Sequence, residues 1–103
     1  MDRVAQIKQL LALSPDDVFL NYALAMEHIS VNDMPAAIQQ LESVKAAHAN
    51  YLPLYYQLAK CYEANQQNDL AISAYEAGME VASKAGDRKT LNELRSALEE
   101  LTF

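Results

Sequence analysis

A displacement of 34 residues lays one part of this chain on another. With Val18–Tyr51 set over Leu52–Ala85, Leu20 falls on Leu54, Tyr22 on Tyr56, Leu24-Ala25 on Leu58-Ala59, Ala37-Ile38 on Ala71-Ile72 and Glu42 on Glu76. A fixed period of about 20–50 residues marks an architecture of stacked supersecondary units. Each unit buries its apolar side only against a neighbour.

Composition decides what the units are made of. The chain holds 17 Ala and 14 Leu against 11 β-branched residues, with two Gly and three Pro. Ala and Leu favour helix most and the breakers are scarce. No segment alternates polar and apolar residues between turn signals, so the expected class is all-α.

Six helices are expected. The first runs from Asp2 to Leu13, with Val4, Ile7, Leu10 and Leu11 as its apolar stripe. Ser14-Pro15-Asp16-Asp17 ends it, with Ser14 as the cap of the second helix and Pro15 in that helix's first turn. The second helix reaches Ser30. Asn32-Asp33 recaps the chain for a third, with Pro35 in its first turn, ending at Ala47. A fourth runs from the Leu52-Pro53 junction to Ala64 and a fifth from Asn68 to Ala85. Gly86 stops the fifth, and Asp87 caps a sixth carrying Leu91, Leu94, Leu98 and Leu101 on one face. Connections this short make sequential helices antiparallel hairpins.

The 34-residue helix–turn–helix period resembles that of tetratricopeptide repeat proteins, and the resemblance extends to single residues. In the second copy Tyr55, Leu58, Ala59 and Tyr62 occupy the first-helix motif positions, and Ala71, Tyr75 and Gly78 those of the second helix. The first copy has Asn21, Leu24, Ala25 and His28, then Ala37, Leu41 and Val44. Asn21 stands where the family has an aromatic residue, His28 where it has Tyr, and Val44 where it has a small residue. The resemblance, which is also to small stand-alone bacterial members of the family, implies an α-solenoid of hairpins in a right-handed superhelical stack. One domain would span residues 1–103: a half-repeat helix over 1–17, repeats over 18–51 and 52–85, and a capping helix over 86–103.

The same resemblance puts the first helix of each repeat on a concave groove. With Leu24, Ala25, Leu58 and Ala59 turned inward, Phe19, Tyr22 and Met26 share one face of the second helix. Tyr56, Lys60 and Glu63 share the corresponding face of the fourth. Asn92, beside Arg88, Lys89 and Arg95, belongs to the sixth. These seven, Phe19 through Asn92, are the expected partner-binding residues, because tyrosine combines apolar area, a hydroxyl and few rotors. The Lys, Asn and Arg set with which chaperone-binding relatives hold a C-terminal carboxylate is not reproduced as a set. An apolar or mixed peptide segment, or a protein face, is therefore the expected ligand. Weak self-association through the groove or the convex face is the alternative.

Enzymatic chemistry finds no support in the sequence. The chain lacks a glycine-rich phosphate loop, a Cys–His pairing and a nucleophile elbow. His28 and His48 read as packing and helix-end residues, not ligands. Cys61, the single cysteine, reads as a half-buried apolar residue inside a helix, away from the dipole that activates thiols. No cofactor or metal is expected. A net charge of −6 disfavours nucleic acid and anionic membranes. No apolar run approaches the ~20 residues of a membrane span. The segment after Met1 lacks the pattern of a signal peptide, and a reducing, cytoplasmic setting is the expectation.

Overall fold

The computed structural model describes residues 2–103 as six α-helices with no strand among them: α1 (Arg3–Leu13), α2 (Val18–Ser30), α3 (Met34–Ala47), α4 (Pro53–Ala64), α5 (Asn68–Ala85) and α6 (Arg88–Thr102). The chain divides between Tyr51 and Leu52 into two compact units. In the first, α2 packs against both α1 and α3. In the second, α5 packs against both α4 and α6.

Short acids start most of the helices. Asp2, Asp17, Asp33 and Asp87 each accept a hydrogen bond from the backbone N–H three residues on, satisfying a donor that has no partner within the helix. Asp17, not Ser14, therefore caps α2. Ser14 instead closes α1, its N–H bonding to the carbonyl of Leu10, and Pro15 lies in the turn between the helices. An aspartate adjacent to the helix reaches the required amide, whereas a serine four residues before it does not. At Asp87 the bond from the Thr90 amide, then that from its hydroxyl, holds the carboxyl below the usual aspartate range. The stability Asp87 contributes is present above the ordinary aspartate pKa and is lost as pH falls through the lowered one. Asp87→Ala is expected to fray the first turn of α6, read as faster hydrogen exchange at the Thr90 amide. Unchanged exchange there would show that the cap is not made.

The stops repeat as well. Asn32 (φ 60°), Gln66 (φ 59°) and Gly86 (φ 71°) are left-handed. Behind them Asp33, Gln67 and Asp87 donate to the carbonyls of His28, Tyr62 and Ala82. This is the six-to-one bond of a Schellman ending. Only glycine adopts that conformation without a Cβ penalty, so the stop at Gln66 is imposed by the hairpin rather than by the residue.

The first unit's core comprises Ile7, Leu24, Ala25, Ala37, Leu41 and Val44. In the second unit Leu54, Tyr55, Leu58, Ala59, Cys61, Tyr62, Ala71, Ala74, Tyr75, Ala82, Leu94 and Ala97 are buried, and Gly78 with them. Ala25 and Ala59 are fully buried, as the repeat pattern requires. Both terminal stripes are only partly covered, and Cys61, expected to be half-buried, is not half-buried. Of the α1 stripe only Ile7 is buried, and Leu10 is 51% exposed, because α1 has one helix to lean on and that covers a narrow strip. On α6 the buried residues are Leu94 and Ala97, with Leu91, Leu98 and Leu101 at the edges. Cys61 is buried outright, and burial pushes its thiol pKa up. That is the opposite of an activated nucleophile.

Candidate interaction site

Each unit carries its own share of the expected binding residues. In the first they lie on α2. Phe19 is 67% exposed, one turn before Tyr22, and Met26 is half-buried one turn further on. Tyr22 is half-buried and meets the ring of Tyr51 edge to face, with centroids 5.3 Å apart and planes at 64°. That is the favoured arrangement of two aromatic quadrupoles. The neighbouring Glu27 accepts from Arg3 at 3.2 Å, tying α1 to α2. His28 is half-buried at the end of the same helix.

The second unit brings three expected residues together. Tyr56 and Lys60 on α4 line an open cleft of about 580 Å³ with Lys89, Asn92, Glu93, Ser96, Ala97 and Glu100 of α6. Both helices pack against α5, which leaves the cleft between them. The α6 residues recur at steps of three and one, which is one face of a helix. Of the α6 cations only Lys89 lines the cleft. Arg95 donates to Asn92 at 3.3 Å, and Arg88 lines a smaller recess with Ala82, Ser83, Gly86, Asp87 and Leu91.

Behind the α4 wall lies a chain of contacts beginning at Tyr75, which is fully buried on α5. Its hydroxyl donates a short hydrogen bond to Oε2 of Glu63, and the same oxygen lies 3.7 Å from Nζ of Lys60. That ammonium stands 5.6 Å from the centroid of Tyr56, within cation–π range, and the Tyr56 ring meets Tyr75 edge to face at 6.4 Å. Glu63 thus supports the cleft wall without lining it. The Tyr75 phenol pKa is raised, first by burial, then by its bond to Glu63, then by the Glu63 charge with smaller contributions from Tyr56 and Glu100. Of the residues lining the cleft, Tyr56, Lys60 and Asn92 are among those expected from the sequence, and Ser96, Ala97, Glu93 and Glu100 are not. Their three-and-one spacing from Lys89 and Asn92 was the available signal.

The cleft offers hydrogen-bond donors, carboxylates and an aromatic edge. Among the described residues no group of three His, Cys, Asp or Glu side chains is placed to hold a metal ion. No described helix is long and apolar enough to cross a membrane.

Comparison with known proteins finds no matching family model and no matching curated protein. Solved structures do match. The chain is 37% identical to a tetratricopeptide repeat domain protein from Salinibacter ruber over 84% of its own length and 88% of that chain, with a TM-score of 0.80. A protein from Bordetella parapertussis matches at 22% identity over 99% and 89% of the two chains, with a TM-score of 0.88. The type III secretion translocator chaperone SycD of Yersinia enterocolitica matches at 17% identity, 96% and 76% coverage and a TM-score of 0.86. The last two likenesses are of fold.

Proposed function

The chain belongs to the tetratricopeptide repeat family, and from that premise we propose that it is a non-catalytic interaction module whose α4–α6 cleft holds a short segment of a partner protein. One observation carries this reading. Glu63 and Tyr75 hold the Lys60 ammonium against the Tyr56 ring at the edge of an open cleft. A side chain ordered before binding loses less entropy when a ligand arrives. Tyr56 is 38% exposed, leaving one edge for a ligand while the rest of the ring is packed. Lys60 and Lys89 suit carbonyl and carboxylate groups of the segment, and Glu93 and Glu100 suit its donors and cations. Phe19, Tyr22 and Met26 form a separate apolar surface on α2, in the other unit.

A segment filling this cleft buries less than a standard interface, so micromolar affinity is expected. Immobilised protein should capture a defined partner from a lysate of the source cell. Tyr56→Ala should lower that capture at least about tenfold, the loss of roughly 1.4 kcal/mol, and adding Tyr22→Ala should abolish it. The helical circular dichroism should stay unchanged. Full capture by the folded double variant would move the binding surface elsewhere.

A further inference from the structure

The cleft-lining face of α6 reads the same from both ends. Its residues are Lys89, Asn92, Glu93, Ser96, Ala97 and Glu100, a palindromic spacing of three, one, three, one, three. The chemistry is complementary about the midpoint. Lys89 at one end answers Glu100 at the other and Glu93 answers Ser96, while the remaining pair, Asn92 and the buried Ala97, carries no charge. We propose that the occupant of this face is α6 of a second copy, laid antiparallel across a two-fold axis between Glu93 and Ser96. This rests on the reading of the α4–α6 cleft as the working surface.

A two-fold contact demands that whatever residue i meets on the partner also meets i from the other side. Few helical faces satisfy this with charge, because the two ends of the face meet each other and must carry opposite signs. Here Lys89 and Glu100 are eleven residues apart, about 16 Å along the axis. Reversing one helix on the other sets each Lys89 beside the partner's Glu100, twice per dimer. Ser96, next to the two-fold axis, is small and exposed, so the axes can approach within the usual 8–10 Å range of packed helices. The Ser96 hydroxyl is a donor for the Glu93 carboxylate opposite. α6 is also the most sharply amphipathic of the six helices, with its core side spent on Leu94 and Ala97. The polar face is therefore the one left to meet a partner. Tyr56 and Lys60 flank it from α4. Opposite charges at both ends also reject a parallel arrangement, in which Lys89 would face Lys89.

Lys89, Glu93, Ser96 and Glu100 are exposed, so variants there keep the core intact. Sedimentation velocity over a range of concentrations should show the native chain passing from monomer to dimer. Lys89→Glu alone and Glu100→Lys alone should each weaken the dimer at least about tenfold, since each places like charges together at both ends. The double variant should recover native association. Mixing the two single variants should give a heterodimer, because each then supplies what the other lacks. A native chain that stays monomeric throughout would overturn the second copy as occupant. If capture of another protein then still depended on Tyr56, only the occupant would be wrong and the cleft reading would stand. A native dimer indifferent to both single charge reversals would place the self-contact on another surface.

Discussion

Replacing Gly78 with valine is expected to destabilise the protein by about 3 kcal/mol, the upper part of the usual range for overpacking, and to lower its melting temperature by about 12–24 °C. A β-carbon at Gly78 would stand 2.6 Å from Cβ of Tyr55 and 3.0 Å from Cδ1 of Leu94. The leucine end can turn aside. The Tyr55 Cβ cannot, because it is fixed to the α4 backbone and its ring is buried. The first unit shows what this close approach replaces. Thirty-four residues earlier, Asn21, Gln40 and Val44 stand where Tyr55, Ala74 and Gly78 stand in the second unit. Small has become large on α3 where large has become small on α2. The Gln40 amide donates to Asn21 Oδ1 at 3.0 Å, and Asn21 donates in turn to the carbonyls of Pro15 and Asp17 at 3.0 and 2.8 Å. The two departures from the family pattern at Asn21 and Val44 thus compensate each other. Tyr55→Asn in the Gly78→Val background should accordingly cost less than it does alone, by at least about 1 kcal/mol in a double-mutant cycle. Urea melts of the four proteins measure this. Effects that add would show that the ring and the missing side chain do not share one space.

That compensated set explains why parts of the molecule were legible in the sequence and others were not. The helices follow from periodicity and punctuation, and five of the six end at the expected residue because Pro, Gly and Asp act within one turn of themselves. The exchange of Asn21 and Val44 for an aromatic and a small residue looks like two defects when each is weighed alone. It becomes one solution only when α2 and α3 are seen to face each other. The stop at Gln66 carries no left-handed residue type, and the sequence marks it only by the polar run from Asn65 to Asp69. Leu10 fits the apolar stripe of α1 as well as Ile7 does. What separates them is how many neighbours α1 has, a property of packing and not of the stripe. In the candidate site Tyr56, Lys60 and Asn92 were legible from their helical faces. The support beneath them was not, since Tyr75 and Glu63 lie twelve residues apart across a hairpin and only the fold places them together.

Tyr75 is where core and site meet, and two substitutions there should give separable results. Tyr75→Ala is expected to cost about 3–5 kcal/mol, because the ring is one of the largest fully buried side chains and nothing in a helical hairpin collapses to fill its space. Tyr75→Phe keeps the ring and removes only the hydroxyl that holds Glu63. Its cost should be smaller, about 1.5–3 kcal/mol, the net worth of one hydrogen bond to a charged group. Its more telling effect is on pH dependence. The raised pKa of the Tyr75 phenol means that the unfolded chain releases this proton near pH 10 while the folded chain keeps it. The folded state then binds more protons, so this residue's contribution to stability is fully present below pH 10 and declines above it. The slope is about 1.4 kcal/mol per pH unit. Phenylalanine has no proton to lose, and the alkaline decline should be shallower by that slope. Urea melts of the native and Tyr75→Phe proteins between pH 8 and pH 11 provide the comparison. Parallel curves would mean that the phenol ionises as readily in the folded state as in the unfolded. With Glu63 released, Lys60 should also lose its fixed place over Tyr56, so Tyr75→Phe should weaken partner capture through residues it does not itself expose.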